Sequence, residues 1–346
     1  MRASVFHAPF DVRVDDVPDA SIQERTDAVV RVTHACVCGS DLWFYRGTAQ
    51  WQAGYRTGHE FCGVVEEVGK DVHDLQVGDF VIAPFAFSDG TCEFCQKGLQ
   101  TSCVHGGGWG GRDYDGGQAE AVRVPWADGT LVKVSPEVAG DARIMRAAAP
   151  LTDVLPTGHH AAVSAGVGPG STAVVIGDGA VGLCGVLASH RLGAERIIAV
   201  GHHPARLEIA RKFGATDVVD STDPDAATMI KEMTSGGAAS VLEAVGYQAS
   251  MDLAVDVARP GGIVGFVGVP AGIEKVNIRA MFGKNVALRG GVAPARAYIP
   301  ELLADVVAGR LDPSPVLDLA IPLEDIGTGY KAMHERTAIK VLIEVG

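Results

Sequence analysis

From the first residue to about Pro150, apolar and polar positions alternate in short stretches such as DAVVRVTHA, GVVEEVG, GDFVIAPF and EAVRVP, with Gly, Asp and Pro between them. A period of two predicts half-buried strands in an antiparallel arrangement. From about Ser171 the rhythm changes. Apolar runs (TAVVIG, RIIAVG, DVVD) now alternate with longer stretches at helical spacing (AVGLCGVLASHRLGA, PARLEIARKFGA), which predicts βαβ units and a parallel sheet. Beyond GGIVGFVGVP and NVALRGGV, the pattern predicts a helix over YIPELLADVVAGRL and a strand-like tail, IKVLIEV. The expected class is α/β, with no internal repeat and no low-complexity segment.

Bulk composition narrows the setting. With 346 residues, 47% of them hydrophobic and 21% charged, the chain is long enough for two cores and is not a disordered sequence. Its 29 basic and 42 acidic residues give a net charge of −13 with no basic block, which argues against nucleic acid and anionic membranes as partners. The start, MRASVFHAPFDVRVDDVP, lacks the apolar stretch of a signal peptide, and the apolar segment 173–189 is interrupted by Asp178 and several glycines, so a cytoplasmic location is expected. Seven cysteines in such a chain read as reduced thiols or metal ligands rather than a disulfide framework.

The nucleotide signal lies in AVVIGDGAVG. Gly177, Gly179 and Gly182 have G-x-G-x-x-G spacing between a predicted strand and a predicted helix opened by Ala180 and Val181. Glycines there allow a tight turn and close approach of backbone to pyrophosphate at the helix N-terminus. The next strand, RIIAV, ends at Gly201, where an NAD site would have an acidic residue for the ribose 2′-hydroxyl. A 2′-phosphate needs space, donors and no carboxylate. Gly201 with His202, His203 and Arg206 meets those conditions on sequence, so NADP is expected over NAD; the alternative is that the two histidines belong to a solvated loop.

Residue types that bind metal gather in CVCGSDLWFYRGTAQWQAGYRTGHEFCGVVEEVG, which holds Cys38, His59 and Glu60. This spacing, the GHE…G…V…VG run and the downstream glycine motif together resemble the zinc-dependent medium-chain alcohol dehydrogenases along the whole chain. The resemblance implies a β-rich, GroES-like substrate domain over 1–154 and 293–346, with a metal lobe at about 88–104, and a Rossmann doubly wound domain over 155–292. It implies Zn²⁺ held by Cys38, His59 and Asp153, with Glu60 ligating or just behind the metal; the alternative for Asp153 is an N-cap of the following helix. Asp41 matches the carboxylate that orients the ligand histidine, and Ser40 the hydroxyl that hands on the alcohol proton. Trp43 stands where relatives often have a proton-relaying histidine. Gly246, Gly268 and Val269 match backbone that contacts the nicotinamide.

Cys92, Cys95 and Cys103 have the family's structural-zinc spacing, with Asp89 in place of the first of four cysteines; the alternative is an empty lobe of reduced thiols. Cys36, Cys62 and Cys184 match no ligand position. Trp43, Phe85 and Trp109 are candidates for either pocket wall or core. The implied activity is hydride transfer between a small-molecule alcohol, or its aldehyde or ketone, and NADP(H), in a homo-oligomer (tetramer or dimer). Two other readings are a zinc-independent NADPH quinone or enal reductase and a non-catalytic dinucleotide-binding redox sensor. The Cys38, His59 and Asp153 set argues against both.

Overall fold

The β-branched stretch around Val29 and Val30 becomes the strand Ala28–Val37, the hub of a seven-stranded sheet. In a computed structural model describing residues 1–111 and 114–346, the order across that sheet is Leu317–Pro322, Lys340–Glu344, Ala28–Val37, Phe61–Val68, Phe80–Ala83 and Val132–Lys133, with Ala121–Val124 also paired to Ala28–Val37. The pairs are antiparallel, as the alternation predicts, except that Leu317–Pro322 and Lys340–Glu344 run parallel. The C-terminal tail therefore completes the sheet begun by the N-terminal segment. Phe61, Val65, Val81, Tyr330 and Ile343 are fully buried in one cluster beside it. Burial of such side chains, each worth about 1.5–3 kcal/mol, is what holds these short strands together.

This unit comprises Met1–Asp153 and Pro294–Gly346. Its helix Ala142–Leu151 starts at Asp141, whose side chain accepts from the backbone N–H groups of Arg143 and Ile144, and it delivers Thr152 and Asp153 to the sheet edge. There the Thr152 carbonyl accepts from Phe85 N at 3.0 Å.

The second unit, Val154–Ala293, contains a six-stranded parallel sheet. Its order is Asp217–Asp220, Arg196–Gly201, Thr172–Ile176, Ala238–Glu243, Ala258–Phe266 and Ala287–Gly290. Sequence order reverses between Thr172–Ile176 and Ala238–Glu243, which makes the end of Thr172–Ile176 the switch point at which doubly wound sheets bind ligands. Val174, Ile198, Val241 and Val264 are fully buried because both sheet faces are covered. Among the described residues, no helix is long and apolar enough to cross a membrane.

Candidate active site and metal centres

Cys38 follows directly on the strand Ala28–Val37, and the short helix Asp41–Tyr45 starts three residues later. That tight turn lets Asp41 Oδ2 accept from the Cys38 backbone N–H at 2.9 Å while Asp41 Oδ1 lies 3.2 Å from His59 Nδ1. One carboxylate thus fixes both residues. With Nδ1–H donated to Asp41, His59 turns Nε2 inward, 3.5 Å from Asp153 Oδ2 and 3.9 Å from Glu60 Oε1. Cys38 Sγ is also 3.5 Å from Asp153 Oδ2, and one ligand atom from each of Cys38, His59, Glu60 and Asp153 lies within 4.8 Å of the others. Ser40 Oγ is 3.4 Å from His59 Nε2.

Three acidic side chains, Cys38, Glu60 and Asp153, make the buried cluster negative. Burial, with the Glu60 and Asp153 carboxylates beside it, pushes the Cys38 thiol up to about 11 in the metal-free chain. Without a metal, the site therefore keeps a proton on sulfur; a divalent cation offsets the same charge. The two 3.5 Å separations, of Cys38 and His59 from Asp153, also suit zinc: a tetrahedron with bonds of about 2.0–2.3 Å has edges of about 3.3–3.8 Å.

Two partners of this cluster are not apparent from motifs. Lys340 is fully buried, its Nζ 2.7 Å from Glu60 Oε1 and 2.6 Å from Oε2. Burial disfavours its charge, but Glu60, together with Cys36, Cys38 and Asp153 behind it, outweighs burial and holds the ammonium above its ordinary value. A lysine within the apolar run IKVLIEV was the available signal. Gln118 is the other: its Nε2 donates to the Cys36 carbonyl at 2.9 Å, and its Oε1 accepts from Tyr330 OH and Thr57 Oγ1. Trp109 is buried core, edge-on to Phe61 and Phe87, with its indole N–H donated to the Pro84 carbonyl.

In the lobe, Asp89, Cys92, Cys95 and Cys103 also offer ligand atoms within 4.8 Å of one another. Asp89 Oδ1 accepts from Thr91 N and Cys92 N, and its Oδ2 is 2.7 Å from His105 Nδ1, a neighbour the spacing did not reveal. Burial would raise the Asp89 carboxyl, but these donors, led by Cys92 N, hold it below the usual range. All seven cysteines are unbridged, with Cys36, Cys62 and Cys184 buried.

In the second unit, Gly177 has φ +118°, and a Cβ at Gly182 would meet Gly177 O at 1.9 Å. Both positions demand glycine. Gly179 is the N-cap of the helix Ala180–Arg191, so backbone rather than side chains lines this turn, as a pyrophosphate requires. Gly246 and Gly268 pack so closely that a Cβ on Gly246 would lie 2.1 Å from Val269 O. Glu243 Oε1 braces them, accepting from Val245 N and Gly246 N.

At Gly201 one sequence expectation needs correction. This corner does hold a carboxylate, and Asp178 supplies it from within the glycine turn. Asp178 Oδ2 accepts from His202 N, His203 N and His203 Nδ1, each at 2.9 Å.

Comparison with known proteins bears on the whole arrangement. Residues 24–136 match the alcohol dehydrogenase GroES-like domain family, and residues 180–308 match the zinc-binding dehydrogenase family. Zinc-type alcohol dehydrogenase B of Aspergillus flavus is 35% identical over 100% of this chain and 82% of its own length. The chain belongs to the zinc-dependent medium-chain alcohol dehydrogenases. A zinc-type alcohol dehydrogenase-like protein of Bacillus subtilis is 32% identical over 99% of this chain and 100% of its own. Among solved structures, an alcohol dehydrogenase from a Thermus species superposes with a TM-score of 0.92 at 36% identity, covering 100% of both chains. Membership in this dehydrogenase family makes the chain an oxidoreductase that uses zinc and a nicotinamide cofactor, and it agrees with the α/β fold of a GroES-like unit plus a Rossmann unit.

Proposed function

We propose that this alcohol dehydrogenase passes hydride from an alcohol to a nicotinamide dinucleotide, and reduces the aldehyde or ketone in reverse, with Cys38, His59 and Asp153 as zinc ligands and Glu60 beside them. The observation that carries this reading is the convergence of those four side chains on one buried spot, with Asp41 orienting His59. When bound, zinc supplies Lewis acidity at the substrate oxygen and eases loss of the hydroxyl proton.

The chain's own groups do the rest. Asp41 holds His59 in the tautomer that leaves the Nε2 lone pair for the metal. Ser40 Oγ takes the proton that leaves the alcohol and hands it on. The indole of Trp43 is a donor only and cannot relay the proton, so water or another group carries it outward from there. A bound nicotinamide would accept hydride from the substrate carbon, so that the alcohol would lose two electrons and two hydrogens, one of them as a proton. Gly246, Gly268 and Val269 offer backbone to the nicotinamide end, and the turn from Gly177 to Gly182 offers backbone to the pyrophosphate. At the ribose end, Gly201 carries no side chain, and the Asp178 carboxylate stands beside it, engaged by His202 and His203. The lobe residues Asp89, Cys92, Cys95 and Cys103 hold a second, structural zinc.

The test combines metal analysis of the purified protein with alcohol-dependent reduction of NAD and of NADP across an alcohol panel. Zinc is expected in the active wild type. Cys38→Ala should lose that metal and lower turnover by orders of magnitude while the second unit still binds dinucleotide. An active wild type free of zinc would sink the reading.

A further inference from the structure

The corner at Gly201 is built around Asp178. A Cβ added to Gly201 would lie 2.5 Å from Asp178 Cβ and 2.6 Å from Oδ2. An acidic side chain at the end of the strand Arg196–Gly201 and the present Asp178 are therefore mutually exclusive: the carboxyl of Asp178 fills the place where such a side chain would begin. Asp178 is itself buried, with 8% of its surface exposed. Burial disfavours its charge, but the His203 and His202 N–H groups outweigh burial and hold the carboxyl below its usual range. It is thus a committed anion at the mouth of the helix Pro204–Lys212, whose N-cap is His203.

We infer that Asp178 is a specificity-determining residue that restrains binding of the 2′-phosphate and keeps the corner open to the ribose diol of NAD. The inference rests on the dinucleotide reading above and adds the residue that sets its discrimination. Two physical effects act together. A carboxylate only accepts hydrogen bonds, so it can take one from a ribose hydroxyl but repels a phosphate dianion. Moreover, the donors a phosphate would need here are already engaged: His202 N, His203 N and the His203 ring nitrogen all point at Asp178 Oδ2. The histidine-rich corner that looks suited to phosphate is occupied by an internal anion.

The test is calorimetric titration of zinc-loaded wild type and Asp178→Asn with NADP and NAD, supported by adenosine 2′,5′-bisphosphate and 5′-AMP, which probe the corner without the nicotinamide. Asparagine keeps an acceptor for the backbone N–H groups but removes the charge. NADP and the bisphosphate should tighten about tenfold or more relative to NAD and 5′-AMP, the scale of one charge-assisted contact. A second variant guards against misfolding: Asp178→Ala combined with Gly201→Asp moves the carboxylate to the strand end and should bind NAD while losing NADP. If both dinucleotides bind wild type and neither variant changes their ratio, or if Asp178→Asn weakens NADP, the inference is overturned and the dinucleotide reading stands. Failure of wild type to bind either dinucleotide would overturn both.

Discussion

Replacing Lys340 by methionine is the sharpest test of how the metal centre is supported. Methionine keeps the length and bulk of the side chain and removes only the ammonium. Lys340 and Glu60 are 1% and 0% exposed, and Nζ approaches both carboxylate oxygens, at 2.7 and 2.6 Å. The variant therefore leaves a carboxylate in the protein interior with no lysine beside it. Breaking a buried pair from one side costs about 3–5 kcal/mol, because the surviving charge has lost both water and partner. In a unit of this size, that corresponds to a fall in Tm of roughly 6–20 °C. The measurement is urea and thermal unfolding of chelator-treated protein, so that no other cation stands near Glu60. Adding Glu60→Gln to Lys340→Met removes the stranded charge and should recover about 2 kcal/mol or more. A single variant within about 1 kcal/mol of wild type, or a double variant no better than the single, would refute the claim that Glu60 is held as a buried anion by Lys340.

Other outcomes follow from the same geometry. Asp41→Ala should weaken zinc at the Cys38 centre about 10- to 100-fold by competition with a chelator, since His59 loses the acceptor that sets its tautomer; unchanged affinity would remove Asp41 from that role. With zinc in the lobe, metal content should approach two per chain, and Asp89→Ala should lower it towards one and reduce Tm, whereas one zinc per chain in wild type would mean the lobe is empty. Chelator-treated native protein should be alkylated first at Cys92, whose thiol the Cys95 backbone N–H holds below its ordinary value, while Cys62, pushed up to about 12 by burial, stays unmodified. Peptide mapping that found Cys62 labelled before Cys92 would contradict this.

What could be read from sequence divides by how far apart the interacting residues lie. The strand Ala28–Val37, the βαβ rhythm and the glycine turn are local patterns, and local patterns report on periodicity and backbone conformation directly. That Cys38, His59 and Asp153 are candidates for one site was legible, because few side chain types can hold a metal and the spacing resembles the family's, and the fold brings the three together. Residues that set the charge around those ligands were not, because they arrive through tertiary structure. Asp178 reaches His202 from 24 positions away, so a strand that ends in glycine gave no hint that a carboxylate stands at its tip. Lys340 is 280 positions from Glu60. What brings it there is sheet register: pairing of Val341 with Val37 and of Leu342 with Cys36 puts Lys340 level with Cys38, the residue just past the end of the neighbouring strand. A slip of one residue would turn the lysine to the other face of the sheet and replace it with an apolar neighbour. The C-terminal strand is therefore part of the metal centre's electrostatics although it contributes no ligand, and the register that closes the sheet also determines whether Glu60 has a counter-ion.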